Sequence, residues 1–164
     1  LYCNGFVQLN IFDKKTKKLH HETIHDLKSC EKYEDIKHYK KVAIIRDPET
    51  RIKSILKMFH ITIKTININE DILKKYIWST PQIEYIDEKT HIINFNNFCD
   101  SIDEVIPDLD FPDKMFHLLN SSNIHINPSE QTISTMKKFY TTDYDLYNKV
   151  NNAKTYCCNI QDII

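Results

Sequence analysis

Residues 41–59 read KVAIIRDPETRIKSILKMF, and the fold turns on this stretch. Val42, Ala43, Ile44 and Ile45 form a short unbroken apolar run, the pattern of a strand covered on both faces of a parallel sheet. Asp47 then offers a side-chain oxygen as a helix N-cap. Pro48 suits the first helical position, because the N–H it lacks would have no partner there. Ile52, Ile55, Leu56 and Phe59 follow at i, i+3, i+4 and i+7, one apolar stripe along a helix. The stretch predicts a buried strand that turns sharply into an amphipathic helix.

Further along, Ile61, Ile63, Ile66 and Ile68 alternate within His60–Asn69, which predicts an extended or irregular connection. Asp71–Trp78 reads as a helix ended by Ser79-Thr80-Pro81. Ile83–Ile86 and His91–Phe95 read as two strands, with Asp87–Thr90 as the turn between them. Phe98, Ile102, Val105 and Ile106 mark a helix that stops before Pro107. A loop over Pro107–Pro112 and a short helix over Met115–Leu119 follow. Ser129 caps a long helix along which Ile133, Met136, Tyr140, Tyr144, Tyr147 and Val150 recur at helical spacing; core packing is the first reading of those aromatics. Strands and helices alternate, so the class is α/β, expected as a three-layer domain with a mostly parallel sheet.

The 164 residues are enough for a single domain that needs no disulfide or metal to hold it together. Apolar residues make up 41% and charged residues 27%, which is globular composition. A net charge of −1 lacks the overall basicity of a nucleic-acid binder, so no nucleic-acid partner is expected. No apolar run approaches the roughly 20 residues of a membrane helix. Gly5 is the single glycine, which excludes a glycine-rich phosphate loop within these residues. The five cysteines, Cys3, Cys30, Cys99, Cys157 and Cys158, contain no C-x-x-C, so zinc-ribbon and thioredoxin-type readings fail.

The chemistry centres on Arg46 to Ser54. At the carboxyl end of a parallel strand, a helix N-terminus turns unpaired N–H groups and a positive dipole end toward the crevice, which favours an anion. Arg46 sits at the strand end, and Arg51 and Ser54 are three apart on one helix face. A guanidinium offers phosphate a two-pronged fork, a serine hydroxyl adds a donor, and Lys53 and Lys57 add positive charge. The competing structural reading makes Arg46–Asp47 an ion pair and Arg51 a surface cover.

The segment IIRDPETRIKSILKMF resembles the R-D-P-x-x-R-x-x-S segment of the carbohydrate sulfotransferase family. The resemblance continues in order. Pro81-Gln82 is similar to the family's P-Q pair, and HIINFNNF (residues 91–98) to its strand followed by an E-n-L type turn. HINPS (residues 125–129) is similar to its N-x-S segment, and FYTTDYDLY (residues 139–147) to its closing Y-x-x-D-[FY]-x-[LI]-[FY] pattern. It implies a fold like that of P-loop nucleotide kinases. It also implies transfer of a sulfuryl group from the co-substrate 3′-phosphoadenosine 5′-phosphosulfate to a hydroxyl, on a glycan or another acceptor, with no metal. Arg46 and Ser54 would bind the 3′-phosphate. Arg51 also matches the motif, either on the nucleotide or bracing the loop; Asn127 and Ser129 are given no definite role, though the resemblance would allow them at the edge of the donor or acceptor site.

Two departures accompany the resemblance. The family's P-K-x-[GA]-x-[ST] turn for the 5′-phosphosulfate has no counterpart in LYCNGFVQLN (residues 1–10), so it is expected upstream of Leu1, together with the first strand. Asn96 also stands where the family often carries Glu. Because the chain starts at Leu1, an upstream targeting or anchor segment would make the domain lumenal, and its absence cytoplasmic. Related enzymes often place a His or Glu base before the R-D-P strand, and histidine titrates near neutral pH. His25 is the leading candidate, with His20 and His21 as alternatives and Glu22 among them. Two other readings compete. One is a non-catalytic nucleotide- or glycan-binding module on the same scaffold. The other is a zinc hydrolase, since His21-Glu22-Thr23-Ile24-His25 spells H-E-x-x-H, although no third ligand follows nearby.

Overall fold

In the computed structural model the described residues are 23–29, 34, 37, 38, 40–65, 67–107 and 126–158. The predicted Met115–Leu119 helix lies outside them, as does all of the 107–112 loop except Pro107. The chain is α/β. Helix α1 (Ile24–Ser29) precedes strand β1 (Lys41–Ile45), which feeds helix α2 (Pro48–Ile63). Helix α3 (Glu70–Lys75) and two 3-10 turns, Ile77–Ser79 and Gln82–Tyr85, lead to β2 (Thr90–Asn94). Then come α4 (Phe98–Val105), α5 (Glu130–Phe139), α6 (Thr141–Val150) and β3 (Thr155–Cys157).

The sheet of described strands has the order β1-β2-β3. β1 and β2 are parallel, with Lys41 opposite Thr90 and Ile45 opposite Asn94. β3 is antiparallel to β2, with Thr155 opposite Ile93 and Cys157 opposite His91. The expected mostly parallel sheet is therefore corrected to a mixed one. The cause lies in α6, whose end abuts the carboxyl end of β2, where Asn151 meets Asn94. Residues 151–154 are too few to cross back over the sheet, so the next strand must run the opposite way.

Alternation along the strands sorts their side chains onto two faces. Ala43, Ile45 and Ile92 pack with Ile86 and with Leu146 and Val150 of α6. Ile93, with the partly buried Val42 and Ile44, packs on Phe98, Ile102 and Val105 of α4. Helices cover both faces, which gives three layers. A second cluster is built between helices. Ile52, Ile55, Leu56 and Phe59, the stripe read from the sequence, pack on Leu73, Met136 and Tyr140, and the Phe59 ring lies 4.4 Å from that of Trp78.

Other elements differ from expectation. α2 runs on to Ile63, past the start of the predicted irregular stretch, and stops where Lys64 turns left-handed at φ 56°. Ile83–Ile86 is not a strand, because Gln82–Tyr85 is wound into a 3-10 turn. The long helix from Ser129 is two helices with Tyr140 between them, at φ −100° and ψ 22°. Among the described residues no helix is long and apolar enough to cross a membrane.

Candidate functional site

Because Ile45 is opposite Asn94, Arg46 and Phe95 are the first residues beyond the carboxyl ends of two neighbouring parallel strands. The Arg46 guanidinium carbon lies over the Phe95 ring, 5.3 Å from its centroid. Such stacking orients the guanidinium over the ring face. Asp47 caps α2 as the sequence predicts, its carboxylate accepting from Thr50 N–H at 2.7 Å. That places the start of α2 directly after Arg46.

The strand end is tied from behind. The Gln82 side chain accepts from Arg46 N–H at 2.9 Å and donates to the Arg46 carbonyl at 3.1 Å. The backbone N–H groups of Gln82 and Ile83 donate to the Asp143 carboxylate at 2.9 and 3.1 Å. The Asp143 side chain is fully buried, and Arg51 Nη1 donates to it at 3.1 Å. Arg51 Nη2 also donates to the Thr80 carbonyl, and its guanidinium carbon sits 4.8 Å from the Tyr140 ring centroid. Burial pushes the Asp143 carboxyl above its ordinary range, against the pull of Arg51 and the two N–H groups. Arg51, Asp143 and Gln82 thus form one linkage that closes on the backbone of Arg46.

α6 reaches across this edge. The Tyr144 hydroxyl donates to Glu49 in the first turn of α2 at 2.9 Å, and Lys137 pairs with the same carboxylate at 2.7 Å. These two donors lower the Glu49 pKa. One turn further on, the Tyr147 hydroxyl accepts from the Asn96 amide at 3.4 Å. Ser54 is half-buried on α2, nearly two turns past its start. Lys53 is exposed on the same helix.

The structure gathers Arg46, Arg51 and Gln82 at one corner and sets Ser54 on the helix leaving it. His25 is exposed on α1, a helix that packs against the Gln82–Tyr85 turn. Among the described residues no hydrogen bond or ion pair joins His25 to Arg46, Arg51 or Ser54. His20, His21 and Glu22 lie outside the described residues. Thr23 and Asp26 form a reciprocal capping box: Asp26 N–H donates to Thr23 Oγ1 at 3.2 Å, and Thr23 N–H donates to the Asp26 carboxylate at 3.1 Å. The helix carrying His25 thus begins after Thr23. Among the described residues no three His, Cys, Asp or Glu side chains converge as metal ligands. Ser129 is the N-cap of α5, accepting from Thr132 N–H at 3.2 Å, and Asn127 is exposed just before it.

Gln82 and Asp143 lie within the P-Q and Y-x-x-D segments, where the sequence alone assigns them no role. For Asp143 a signal was present. It falls on the apolar stripe of α6, with Tyr140 three residues before it and Leu146 three after. A carboxylate on a buried stripe requires a partner, and Arg51 is that partner. No protein-family model, curated protein or solved structure matches this chain.

Proposed function

We propose that the protein is a sulfotransferase that moves a sulfuryl group from 3′-phosphoadenosine 5′-phosphosulfate to a hydroxyl, on a carbohydrate in the first instance. The observation that carries this reading is the Arg51–Asp143–Gln82 linkage behind Arg46. It joins three segments far apart in the chain, and they are the ones whose motifs resemble the family: R-D-P-x-x-R, P-Q and Y-x-x-D. The linkage supports separate roles for the two arginines. Arg51 is committed to an interior carboxylate and braces the corner. Arg46, stacked on Phe95 at the strand ends, is the cation for the 3′-phosphate, with Ser54 as a hydroxyl donor.

In the reaction, the acceptor oxygen attacks sulfur in line. The sulfur–oxygen bond to the 5′-phosphate breaks, and 3′,5′-adenosine bisphosphate leaves. The acceptor proton passes to a base, for which His25 is the described candidate. Holding the bisphosphate by charge and orientation supplies most of the rate in chemistry of this kind.

The test is transfer of labelled sulfate from the donor to a panel of glycan acceptors. The proposal expects transfer that is lost in Arg46→Ala, and in His25→Ala a lower kcat with bisphosphate affinity retained. Bisphosphate binding without transfer to any acceptor would favour a non-catalytic module on the same scaffold. Stoichiometric zinc, lost in His21→Ala, would favour a hydrolase.

A further inference from the structure

The β1–β2 ladder ends at the Ile45–Asn94 pair, and among the described strands β1 is an edge. Arg46 lies one residue beyond that pair, so its N–H and C=O fall outside the ladder of described strands. The Gln82 amide takes both, at 2.9 and 3.1 Å, and so acts as one more rung of the ladder. The sense of the amide is fixed, because Arg46 N–H needs the oxygen and Arg46 C=O needs the nitrogen. Gln82 is itself seated by its N–H on the buried Asp143. The direction in which the Arg46 side chain leaves the backbone therefore depends on this rung.

We propose that Gln82 is the positioning residue of the anion site, orienting Arg46 toward the nucleotide's phosphate without touching the nucleotide itself. The inference rests on the reading of Arg46 as the phosphate cation.

Gln82→Glu tests it. When ionised, the introduced carboxylate has no proton to give the Arg46 carbonyl and repels it. When protonated, it donates through O–H and accepts through C=O, reproducing the pattern of the amide. Asp143 on α6 and Glu84 in the same turn raise the pKa of the introduced group, whereas Arg46 and Arg51 lower it. His25, Asp26 and Lys28 lie on α1, which packs on this turn; Asp26 opposes ionisation of the introduced carboxyl, and the cation of Lys28 and any positive charge on His25 favour it.

Binding of 3′,5′-adenosine bisphosphate is measured by calorimetry for wild type and variant between pH 7.5 and 4.5. At pH 7.5 the variant binds roughly tenfold more weakly, the scale of one or two lost hydrogen bonds. The ratio of the two affinities narrows as pH falls. Gln82→Met, which removes both bonds and cannot titrate, keeps its deficit at every pH and serves as the second variant should Gln82→Glu fold poorly. Equal affinity of Gln82→Met and wild type overturns the inference alone. A wild type that binds no bisphosphate overturns it together with the proposed function.

Discussion

Arg46 and Arg51 are five residues apart and sit in different surroundings. The Arg51 side chain is 15% exposed and Asp143 is fully buried, so their charges share a poorly solvated site. Removing one partner of such a pair strands the other, at a cost of about 3–5 kcal/mol, whereas replacing both with apolar groups of similar volume costs far less. Asp143→Ala also leaves two backbone N–H groups without acceptors. Urea unfolding is expected to show a large loss for Asp143→Ala and a smaller one for Arg51→Met combined with Asp143→Leu, which leaves the same two N–H groups without acceptors but strands no charge. Equal losses would mean that stranding the Arg51 charge adds no cost of its own. At this scale the sequence showed which side chains could meet an anion but not which would be engaged elsewhere. Arg51 and Ser54 share a helix face, and nothing in their spacing reveals a carboxylate 92 positions downstream. Only the place of Asp143 within an apolar stripe hinted at it.

Among the elements, the β1–α2 corner was legible because every local signal agreed: an apolar run, an Asp cap, a Pro at the first helical position, then a stripe at helical spacing. The HIINF strand was legible for the same reason. Ile83–Ile86 was misread because isoleucine and tyrosine fit a strand by propensity. Its conformation is set instead by a tertiary contact, with Asp143 gripping two consecutive N–H groups just after Pro81. β3 is three residues long, too short to show a period.

The turn before β2 makes a separate prediction. Burial raises the Asp87 pKa, but hydrogen bonds from Lys41, Thr90 and Lys89 N–H outweigh it, so the carboxyl lies below its ordinary value. A depressed carboxyl adds stability that is present above the unfolded pKa, about 3.9, and lost as pH falls through the folded one. Asp87→Asn should destabilise by about 1–3 kcal/mol at pH 7. By pH 3 the gap between variant and wild type should have narrowed, as read from urea midpoints at the two pH values. A gap of the same size at both would show that the charge on Asp87 contributes nothing.

Across the whole molecule, the mixed sheet carries helices on both faces and the helical cluster on α2 stands beside it. The α/β class and the two covered faces follow from the alternation of elements. The antiparallel third strand does not, because its direction is set by where α6 ends. This architecture brings the ends of β1 and β2, the start of α2 and the length of α6 to one edge. Arg46 is held there by backbone and ring contacts, with its charge at the rim of the parallel pair. The most direct test is calorimetric titration of 3′,5′-adenosine bisphosphate into the wild type and into Arg46→Ala, each first shown to be folded by its thermal transition. The account predicts saturable binding that Arg46→Ala weakens by roughly ten- to a hundredfold, the scale of charged hydrogen bonds to phosphate. Absence of saturable binding to the wild type, or unchanged affinity in Arg46→Ala, would contradict it.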